Sequence, residues 1–377
     1  MNFVNHSLRF DEQIAFALRS LYEQYGYTRY RMSKFEEYEL YVQNKDFIAS
    51  PGIITFTDTD GKLLALKPDV TLSIVKNLKR RSGTQKVYYN ENVYRVSKSS
   101  GSYREILQTG LEAIGDITAY DLAEVLLLAI RSLEATGCTF RLDLSHMGIL
   151  SELVRQLPLG EDDHAELLLA IKRKNAEGIR DVCRRVGAMD SMTETIATAA
   201  TLYGCASSVI PTLRALLGKD GNVALDELEL LVATLSALGY GEAIGIDLSI
   251  VGDMSYYCGL MFRGYIAGIP DGVLLGGCYD SMMKKMGRNC AAVGFAISLD
   301  MLDLLPMPKN SHDFDFLLQY SKDIPAETVL KAVSQLVKEG KTVRTALEPP
   351  SDVRVGQVLK IQPDGSIVIV REEDTQC

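Results

Sequence analysis

Five polar side chains in the first third of the chain could together bind a small charged molecule. They are Asp69, Thr71, Arg95, Gln108 and Glu112. Carboxylates accept hydrogen bonds from an ammonium group or a ring N–H, and a guanidinium pairs with a carboxylate, while hydroxyl and amide groups add neutral hydrogen bonds. These residue types suit a ligand that carries both signs of charge.

Each of these residues, taken alone, also has a purely structural interpretation. Asp69 follows Pro68, a position where aspartate commonly caps a helix. Arg95 by itself is more typical of a surface ion pair. Tyr256 and Tyr257 could close a slot around a ring, but such a pair is more often found in a core or on an edge strand. Only the joint occurrence of these residues, in the order typical of a known family, favours a site.

The elements that would position these residues alternate between strands and helices. Apolar spacing and turn signals predict helices at 11–25, 71–78, 121–133 and 291–304, and strands at 28–32, 52–57, 63–66, 86–89, 92–96, 104–108, 141–144, 246–248, 259–266 and 272–275. Between them, residues from about 147 to 238 have a helical pattern throughout. Strands joined by antiparallel turns, with helices to one side, indicate an α+β fold.

The chain divides after Pro306 and Pro308, where the composition changes. We predict a first domain at 1–310, with a helical insertion at about 147–238, and a small C-terminal α/β domain at 311–377. The C-terminal part shows one helix around 329–337, a strand at 342–346 and a hairpin signal at Pro363-Asp364-Gly365.

Composition narrows the class of protein. The 377 residues carry a formal charge of −9, which disfavours nucleic-acid binding. No apolar run is long enough to cross a membrane. The seven cysteines form no C-x-x-C pair and the four histidines share no ligand spacing, so we expect reduced thiols in the cytoplasm and no structural metal. No glycine-rich nucleotide loop is present, and we expect no cofactor.

One short segment is rich in basic residues although the chain as a whole is acidic. Lys76, Lys79, Arg80, Arg81 and Lys86 form a basic cluster. A solvated helix end is one interpretation, and a patch that docks a phosphate or a partner is the other.

Six short motifs, in order along residues 5–305, resemble those of class II histidyl-tRNA synthetases. The motifs are Phe35–Tyr41, Leu66–Thr71, Tyr94-Arg95 with Gln108–Glu112, Tyr256-Tyr257 before Gly259, Gly276–Asp280 and Val293–Ala296. The resemblance implies a class II synthetase-like antiparallel sheet flanked by helices. Leu202-Tyr203-Gly204 and Gly259–Phe262 are more similar to the non-catalytic paralogue family, the regulatory subunits of ATP phosphoribosyltransferase.

The departures from the synthetase pattern fall on charged catalytic positions. Ser97 replaces a carboxylate that pairs with adenine, and Ser255 replaces an aspartate of the histidine motif. Arginines of the pattern are replaced at four positions, which are Ser102, Gly252, Cys278 and Met301. Losing several preorganised charge donors, each worth about 10²–10³ in rate, is expected to abolish aminoacylation. Near the position where motif 1 of the synthetases has a proline, this chain has Ser33. The tail from residue 312 resembles the anticodon-binding domain of the family only faintly.

The resemblance therefore implies a regulatory subunit without catalytic residues. It would bind a short-form ATP phosphoribosyltransferase catalytic subunit, support the first step of histidine biosynthesis and take part in feedback by histidine, as a homodimer within a hetero-oligomer. Histidine would be bound by residues that match the family's pocket, namely Asp69, Thr71, Arg95, Gln108, Glu112, Tyr256 and Tyr257. The alternatives are an active but divergent histidyl-tRNA synthetase and a synthetase-like domain that senses tRNA or serves another complex.

Overall fold

The fold is described from a computed structural model. It describes residues 8–44, 52–78, 83–97, 101–217, 222–252, 258–305, 312–350 and 353–371. The chain separates into two compact units, one formed by Arg9–Leu305 and one that contains the described residues from 312 onward.

The first unit contains twelve strands among its described residues. They are β1 (Thr28–Arg29), β2 (Phe35–Glu37), β3 (Thr55–Thr57), β4 (Leu63–Leu66), β5 (Gln85–Val96), β6 (Tyr103–Gly115), β7 (Phe140–His146), β8 (Tyr203–Cys205), β9 (Ile244–Asp247), β10 (Leu260–Ile266), β11 (Leu274–Cys278) and β12 (Ala291–Ser298).

Eleven α-helices accompany these strands in the described part of the unit. They are α1 (Phe10–Gln24), α2 (Tyr38–Gln43), α3 (Thr71–Asn77), α4 (Ala119–Glu134), α5 (Met147–Val154), α6 (Glu161–Lys172), α7 (Ala176–Arg185), α8 (Asp190–Thr201), α9 (Ala206–Leu217), α10 (Val223–Ala237) and α11 (Asp280–Lys285).

A large sheet forms the centre of this unit. Its nine described strands run in the order β1-β5-β6-β12-β11-β10-β7-β9-β8, and β2-β4-β3 form a separate small sheet. The pairs β1–β5 and β7–β9 are parallel and the other pairs of the large sheet are antiparallel. Helices α5–α10 lie in sequence between β7 and β9, in the region predicted as a helical insertion. The predicted α+β fold is confirmed.

One face of the large sheet is covered by α1 and α4. The spacing of Leu122, Val125, Ala129 and Leu133 places an apolar stripe on one side of α4. These side chains and Leu18 of α1 join the same buried cluster as alternate residues of β6 and β12, such as Leu111 and Phe295. Because neighbouring residues of a strand point to opposite faces, the residues between them belong to the other face of the sheet.

The prediction of a helix at 291–304 was wrong. Residues 291–298 form the central strand β12, and Leu299–Leu304 form a 3₁₀ turn. A short apolar run fits a buried strand or a buried helix equally well by periodicity. These residues form a strand because β12 is hydrogen-bonded to β6 on one side and to β11 on the other.

The helical pattern predicted across 147–238 is also interrupted. Tyr203–Cys205 form β8, which pairs with β9 at the edge of the large sheet. Gly204 has a φ of 153°, which is the kind of backbone geometry that favours glycine over other residues. The short strand therefore depends on pairing with a segment about forty residues later in the chain.

The C-terminal unit is a four-stranded sheet with one helix among its described residues. Its elements are β13 (Phe314–Gln319), α12 (Ala326–Lys338), β14 (Val343–Ala346), β15 (Val355–Ile361) and β16 (Ile367–Arg371). The strand order is β14-β13-β15-β16, and β15 and β16 form the antiparallel hairpin predicted around Pro363-Asp364-Gly365. The sequence patterns did not predict β13.

Candidate functional site

The central strands β6 and β12 carry the polar face of the large sheet. Gln108, Gly110 and Glu112 alternate along β6 and therefore lie on one face. The register places Ser298, Ala296 and Gly294 of β12 directly opposite them. The side chains of this stretch of β12 are small or absent, so the polar side chains of β6 can lie across it.

Glu112 is a deeply buried ionisable group on this face. Only 2% of the residue is exposed. The Thr71 hydroxyl donates to its Oε1 and the Tyr279 hydroxyl to its Oε2, each at 2.8 Å. Burial raises the pKa of Glu112 to about 8, against the opposing effect of the two hydroxyl donors, and the nearby Asp69 charge adds to the increase.

Gly294 makes the position of Glu112 possible. A Cβ atom built on Gly294 would lie 1.8 Å from Glu112 Oε2 and 2.4 Å from the Leu111 carbonyl oxygen. Any side chain there would displace the carboxylate or the backbone of β6. The glycine of the Val293–Ala296 motif is therefore required by a close approach rather than by its backbone dihedral angles.

Asp69 and Arg95 form a second charged group beside Glu112. Asp69 Oδ1 accepts from the backbone N–H of Leu72 at 2.9 Å, so the residue caps α3, as one interpretation of the sequence predicted. Its Oδ2 lies 3.8 Å from Arg95 Nη2, and Arg95 Nε donates to the Pro68 carbonyl at 2.7 Å. Burial raises the pKa of Asp69, while Arg95 acts in the opposite direction.

The structure thus groups five of the seven predicted residues around one face of the sheet. Thr71 and Glu112 are hydrogen-bonded, Asp69 is paired with Arg95, and Gln108 lies on the Glu112 face, where its Nε2 is 3.4 Å from Ser298 Oγ. Tyr256 and Tyr257 lie outside the described residues.

Tyr279 is a site residue that sequence reasoning missed. It belongs to the Gly276–Asp280 motif, so the signal was present, but only the folded chain brings its hydroxyl to Glu112. A buried ion pair close by was also not predicted. Lys67, 1% exposed, donates to Glu91 at 2.5 Å, and Glu91 is the β5 partner of Gln108 in the sheet register.

The positions where the sequence departs from the synthetase pattern carry no charge in the described structure. Ser97 and Ser102 close the β5–β6 turn through a backbone hydrogen bond of 2.8 Å. Met301 packs against the main apolar cluster, and Cys278 is partly buried at the end of β11. Arg104 remains, exposed and opposite Arg95 in the register of β5 and β6.

The basic cluster is divided in the structure. Lys76, in the last turn of α3, pairs with Glu36 at 2.9 Å. Lys86 instead pairs with Glu124 at 2.5 Å. Lys79, Arg80 and Arg81 lie outside the described residues. Lysine in the last turn of a helix also interacts favourably with the helix dipole, as the solvated-end interpretation requires.

The described residues contain neither a metal-binding cluster nor a membrane-spanning helix. Within the described ranges, no three His, Cys, Asp or Glu side chains are arranged to hold a metal ion. In the same part of the chain, no helix combines the length and the apolar character needed to span a membrane.

The family of the chain follows from its sequence as a whole. A family model described as histidyl-tRNA synthetase matches residues 4–302. The chain belongs to this family. A relative named ATP phosphoribosyltransferase regulatory subunit, from Clostridium acetobutylicum, is 29% identical over 88% of this chain and 84% of its own length.

Solved structures agree on the architecture. A protein from Bacillus halodurans described as an ATP phosphoribosyltransferase regulatory subunit/histidyl-tRNA synthetase superposes with a TM-score of 0.77, at 25% identity and 96% coverage of both chains. A chain of the ATP phosphoribosyl transferase complex from Thermotoga maritima gives a TM-score of 0.60 at 20% identity, covering 77% of this chain and 97% of that one. The class II synthetase-like fold expected from the motifs is confirmed.

Proposed function

We propose that this chain is a non-catalytic regulatory subunit of ATP phosphoribosyltransferase. It acts on a short-form catalytic subunit in the first step of histidine biosynthesis, and histidine is its effector. The proposal is supported by the contrast, within one site, between polar contacts that are retained and arginines that are replaced. The Thr71–Glu112–Tyr279 hydrogen bonds and the Asp69–Arg95 pair are kept, whereas Ser102, Cys278 and Met301 stand where the synthetase pattern has arginine.

The missing arginines weigh against adenylate chemistry. Attack of a carboxylate on the α-phosphate of ATP is catalysed mainly by positioning and by neutralising phosphate charge. Serine, methionine and cysteine cannot supply the bidentate, charge-assisted hydrogen bonds of arginine. Since each charge donor contributes about 10²–10³ in rate, the loss of these arginines leaves no useful aminoacylation.

The remaining groups suit histidine. Asp69 takes the α-ammonium group, Arg95 takes the α-carboxylate, and Glu112 with Tyr279 meets the imidazole. Tyr256 and Tyr257, from the family motif, complete the proposed set of ligands together with Gln108 and Thr71. Relatives that align with most of this chain are named ATP phosphoribosyltransferase regulatory subunit, which supports the assignment to that complex.

Feedback by histidine then follows from linkage. Histidine shifts the assembly toward the state that it binds more tightly, by no more than the difference between its two affinities. No chemical step occurs on this chain.

The deciding experiment mixes the purified chain with a short-form catalytic subunit and measures the condensation of ATP with phosphoribosyl pyrophosphate. We expect activity that depends on this chain and falls as histidine is added. Glu112→Gln is expected to keep the activation and to weaken the response to histidine. Glu105→Gln, on the same strand but the opposite face, is the matched control and should respond like the wild type. A catalytic subunit that is indifferent to this chain contradicts the proposal.

An active histidyl-tRNA synthetase is the second candidate, favoured by the family match over residues 4–302. Pyrophosphate exchange with histidine and ATP separates the two functions. Robust exchange by the purified chain would replace our proposal with this one, whereas exchange at background level supports the loss of aminoacylation.

The assembly of the complex is part of the proposal. The predicted homodimer within a hetero-oligomer, and the cytoplasmic location, stay predictions. Multi-angle light scattering of the chain alone and with the catalytic subunit gives the masses of both species, and a monomer under both conditions would contradict the homodimer.

A further inference from the structure

The Glu112 carboxylate is buried without a counter-ion. Of the described cationic side chains, none lies within ion-pair distance of it. Burying a charge in this way is unfavourable unless a partner of opposite sign arrives or the group takes up a proton.

The hydrogen bonds around Glu112 nevertheless fit its ionised form. Each oxygen accepts one hydroxyl, from Thr71 on one side and Tyr279 on the other. A protonated carboxyl group would place its own O–H donor beside one of these hydroxyls, and the oxygen that carries the proton would accept from that hydroxyl less well. The site is arranged for a carboxylate that lacks its cation.

The groups that face Glu112 from the surrounding elements do not supply that cation. Asp69 and Thr71 face it from the start of α3, Tyr279 from the start of α11, and the phenol of Tyr27 lies within electrostatic range. The register neighbours on β12 and β5 are Gly294 and Val87, which carry no charge. Arg95 pairs with Asp69 instead.

The Asp69–Arg95 pair sets the direction of the ligand. Their side chains are 17% and 25% exposed, whereas Glu112 is 2% exposed, so the pair stands nearer the solvent. An amino acid that places its ammonium and carboxylate groups on this pair extends its side chain inward toward Glu112.

We propose that the site binds the ring of its ligand as an imidazolium cation, paired with the Glu112 carboxylate. The inference rests on the proposed histidine-binding function. As the ligand enters, the O–H bond of the Glu112 carboxyl group breaks and an N–H bond forms on the neutral ring, so the proton stays within the complex. Thr71 and Tyr279 then keep both of their hydrogen bonds.

The affinity for histidine should depend on pH in a way that identifies this transfer. A free imidazole ring loses its proton at a pH of about 6.5, and the pKa of Glu112 in the empty site is about 8. Between these values the empty site and the free ligand together hold the one proton that the complex needs. The dissociation constant is therefore lowest in this window and rises by about tenfold per pH unit on either side.

The test is ¹⁵N NMR of ring-labelled histidine bound to the full-length chain at about pH 7.5, where the free ring is neutral. We expect both ring nitrogens of the bound ligand to be protonated, and to remain so up to a pH of about 8.5. One protonated and one unprotonated nitrogen in the bound ring would overturn the inference while leaving histidine binding intact. Absence of any bound histidine at millimolar concentration would overturn the inference and the proposed effector together.

Variants separate the charge of Glu112 from its shape. Glu112→Gln keeps the size but replaces one acceptor oxygen with an NH2 donor, and should weaken binding roughly tenfold to hundredfold and leave the residual bound ring neutral. Tyr279→Phe removes a donor that favours the carboxylate, so the upper limb of the pH profile should move to higher pH. Glu105→Gln should leave the dissociation constant and the nitrogen shifts unchanged. Equal profiles for all three variants would contradict the role of Glu112.

Discussion

Glu112 is held by residues that are distant in sequence. Thr71 precedes it by 41 positions, Tyr279 follows it by 167, and Gly294 leaves the space that its carboxylate occupies. This arrangement keeps an uncompensated carboxyl group inside the protein, and it has a measurable effect on stability.

The free energy of unfolding should fall as the pH rises because of Glu112. Its ordinary pKa of 4.5 applies to the unfolded chain, and its pKa in the folded chain is about 8. Between these values the folded state holds a proton that the unfolded state has lost, so this contribution is complete below 4.5 and is lost as the pH rises through 8, at up to about 1.4 kcal/mol per pH unit.

Glu112→Gln removes this titration. Urea unfolding at pH 5.5, 6.5 and 7.5 should show the variant gaining stability relative to the wild type by up to about 1.4 kcal/mol per pH unit. Glu105→Gln should give a curve parallel to that of the wild type. A Glu112→Gln curve that is also parallel would show that Glu112 titrates normally.

At the scale of elements, two ion pairs join segments that are separated along the chain. Lys67, at the end of β4, is paired with Glu91 of β5. Lys174, between α6 and α7, pairs with Asp247 of β9 at 2.9 Å and lies over the ring of Tyr203 on β8, 4.3 Å from its centroid. The second pair connects the helical insertion with the edge of the large sheet.

Substituting one partner of the Lys67–Glu91 pair should destabilise the protein more than substituting both partners. Glu91→Gln leaves the buried Lys67 charge unpaired, which typically costs about 3–5 kcal/mol. The double variant Lys67→Met/Glu91→Leu removes both charges and should lie closer to the wild type in chemical denaturation. A double variant that is less stable than Glu91→Gln alone would mean that the pair itself contributes net stability.

Lys174 occupies a backbone conformation that suits glycine. Its φ is 53°, the only positive value of a non-glycine residue in the described chain. A left-handed conformation costs a residue with a side chain about 1–2 kcal/mol, and the contacts to Asp247 and Tyr203 offset part of that cost.

Two substitutions at Lys174 separate these effects. Lys174→Ala loses the contacts and keeps the strained backbone, whereas Lys174→Gly loses the contacts and relieves it. We expect the glycine variant to be more stable than the alanine variant by about 1 kcal/mol in urea unfolding. Equal stability of the two variants would mean that the backbone is not strained at this position.

At the scale of the whole molecule, the charge distribution fits the proposed function and disfavours RNA binding. The formal charge is −9, and the described basic side chains of the cluster near α3 and β5, Lys76 and Lys86, are paired with Glu36 and Glu124. A protein that binds nucleic acid relies on unpaired cations that release counterions from phosphates.

We therefore expect no specific binding of transfer RNA. Fluorescence anisotropy with labelled histidine transfer RNA, from about 50 to 200 mM salt, should show at most weak binding that vanishes with added salt. The same titration with the catalytic subunit in place of RNA is the positive control. Tight, salt-resistant binding of the RNA would favour the synthetase or the tRNA-sensing alternative.

Local patterns in the sequence determined much of the fold. The apolar spacing of α4, the turn at Pro363-Asp364-Gly365 and the strand pattern of β5 and β6 depend on contacts a few residues apart, and each is confirmed. The motifs also identified the family, and they selected Asp69, Thr71, Arg95, Gln108 and Glu112, which lie around one face of the sheet.

Only the tertiary structure decided features that depend on distant pairing. The sequence pattern of β12 also fits a helix, and its pairing with β6 and β11 makes it a strand. β8 forms because Tyr203–Cys205 pair with β9. Tyr279 belongs to the site because its hydroxyl reaches Glu112 across 167 positions. A burial-dependent property such as the pKa of Glu112 cannot be obtained from neighbouring residues, because it arises from the chain that closes around the carboxylate.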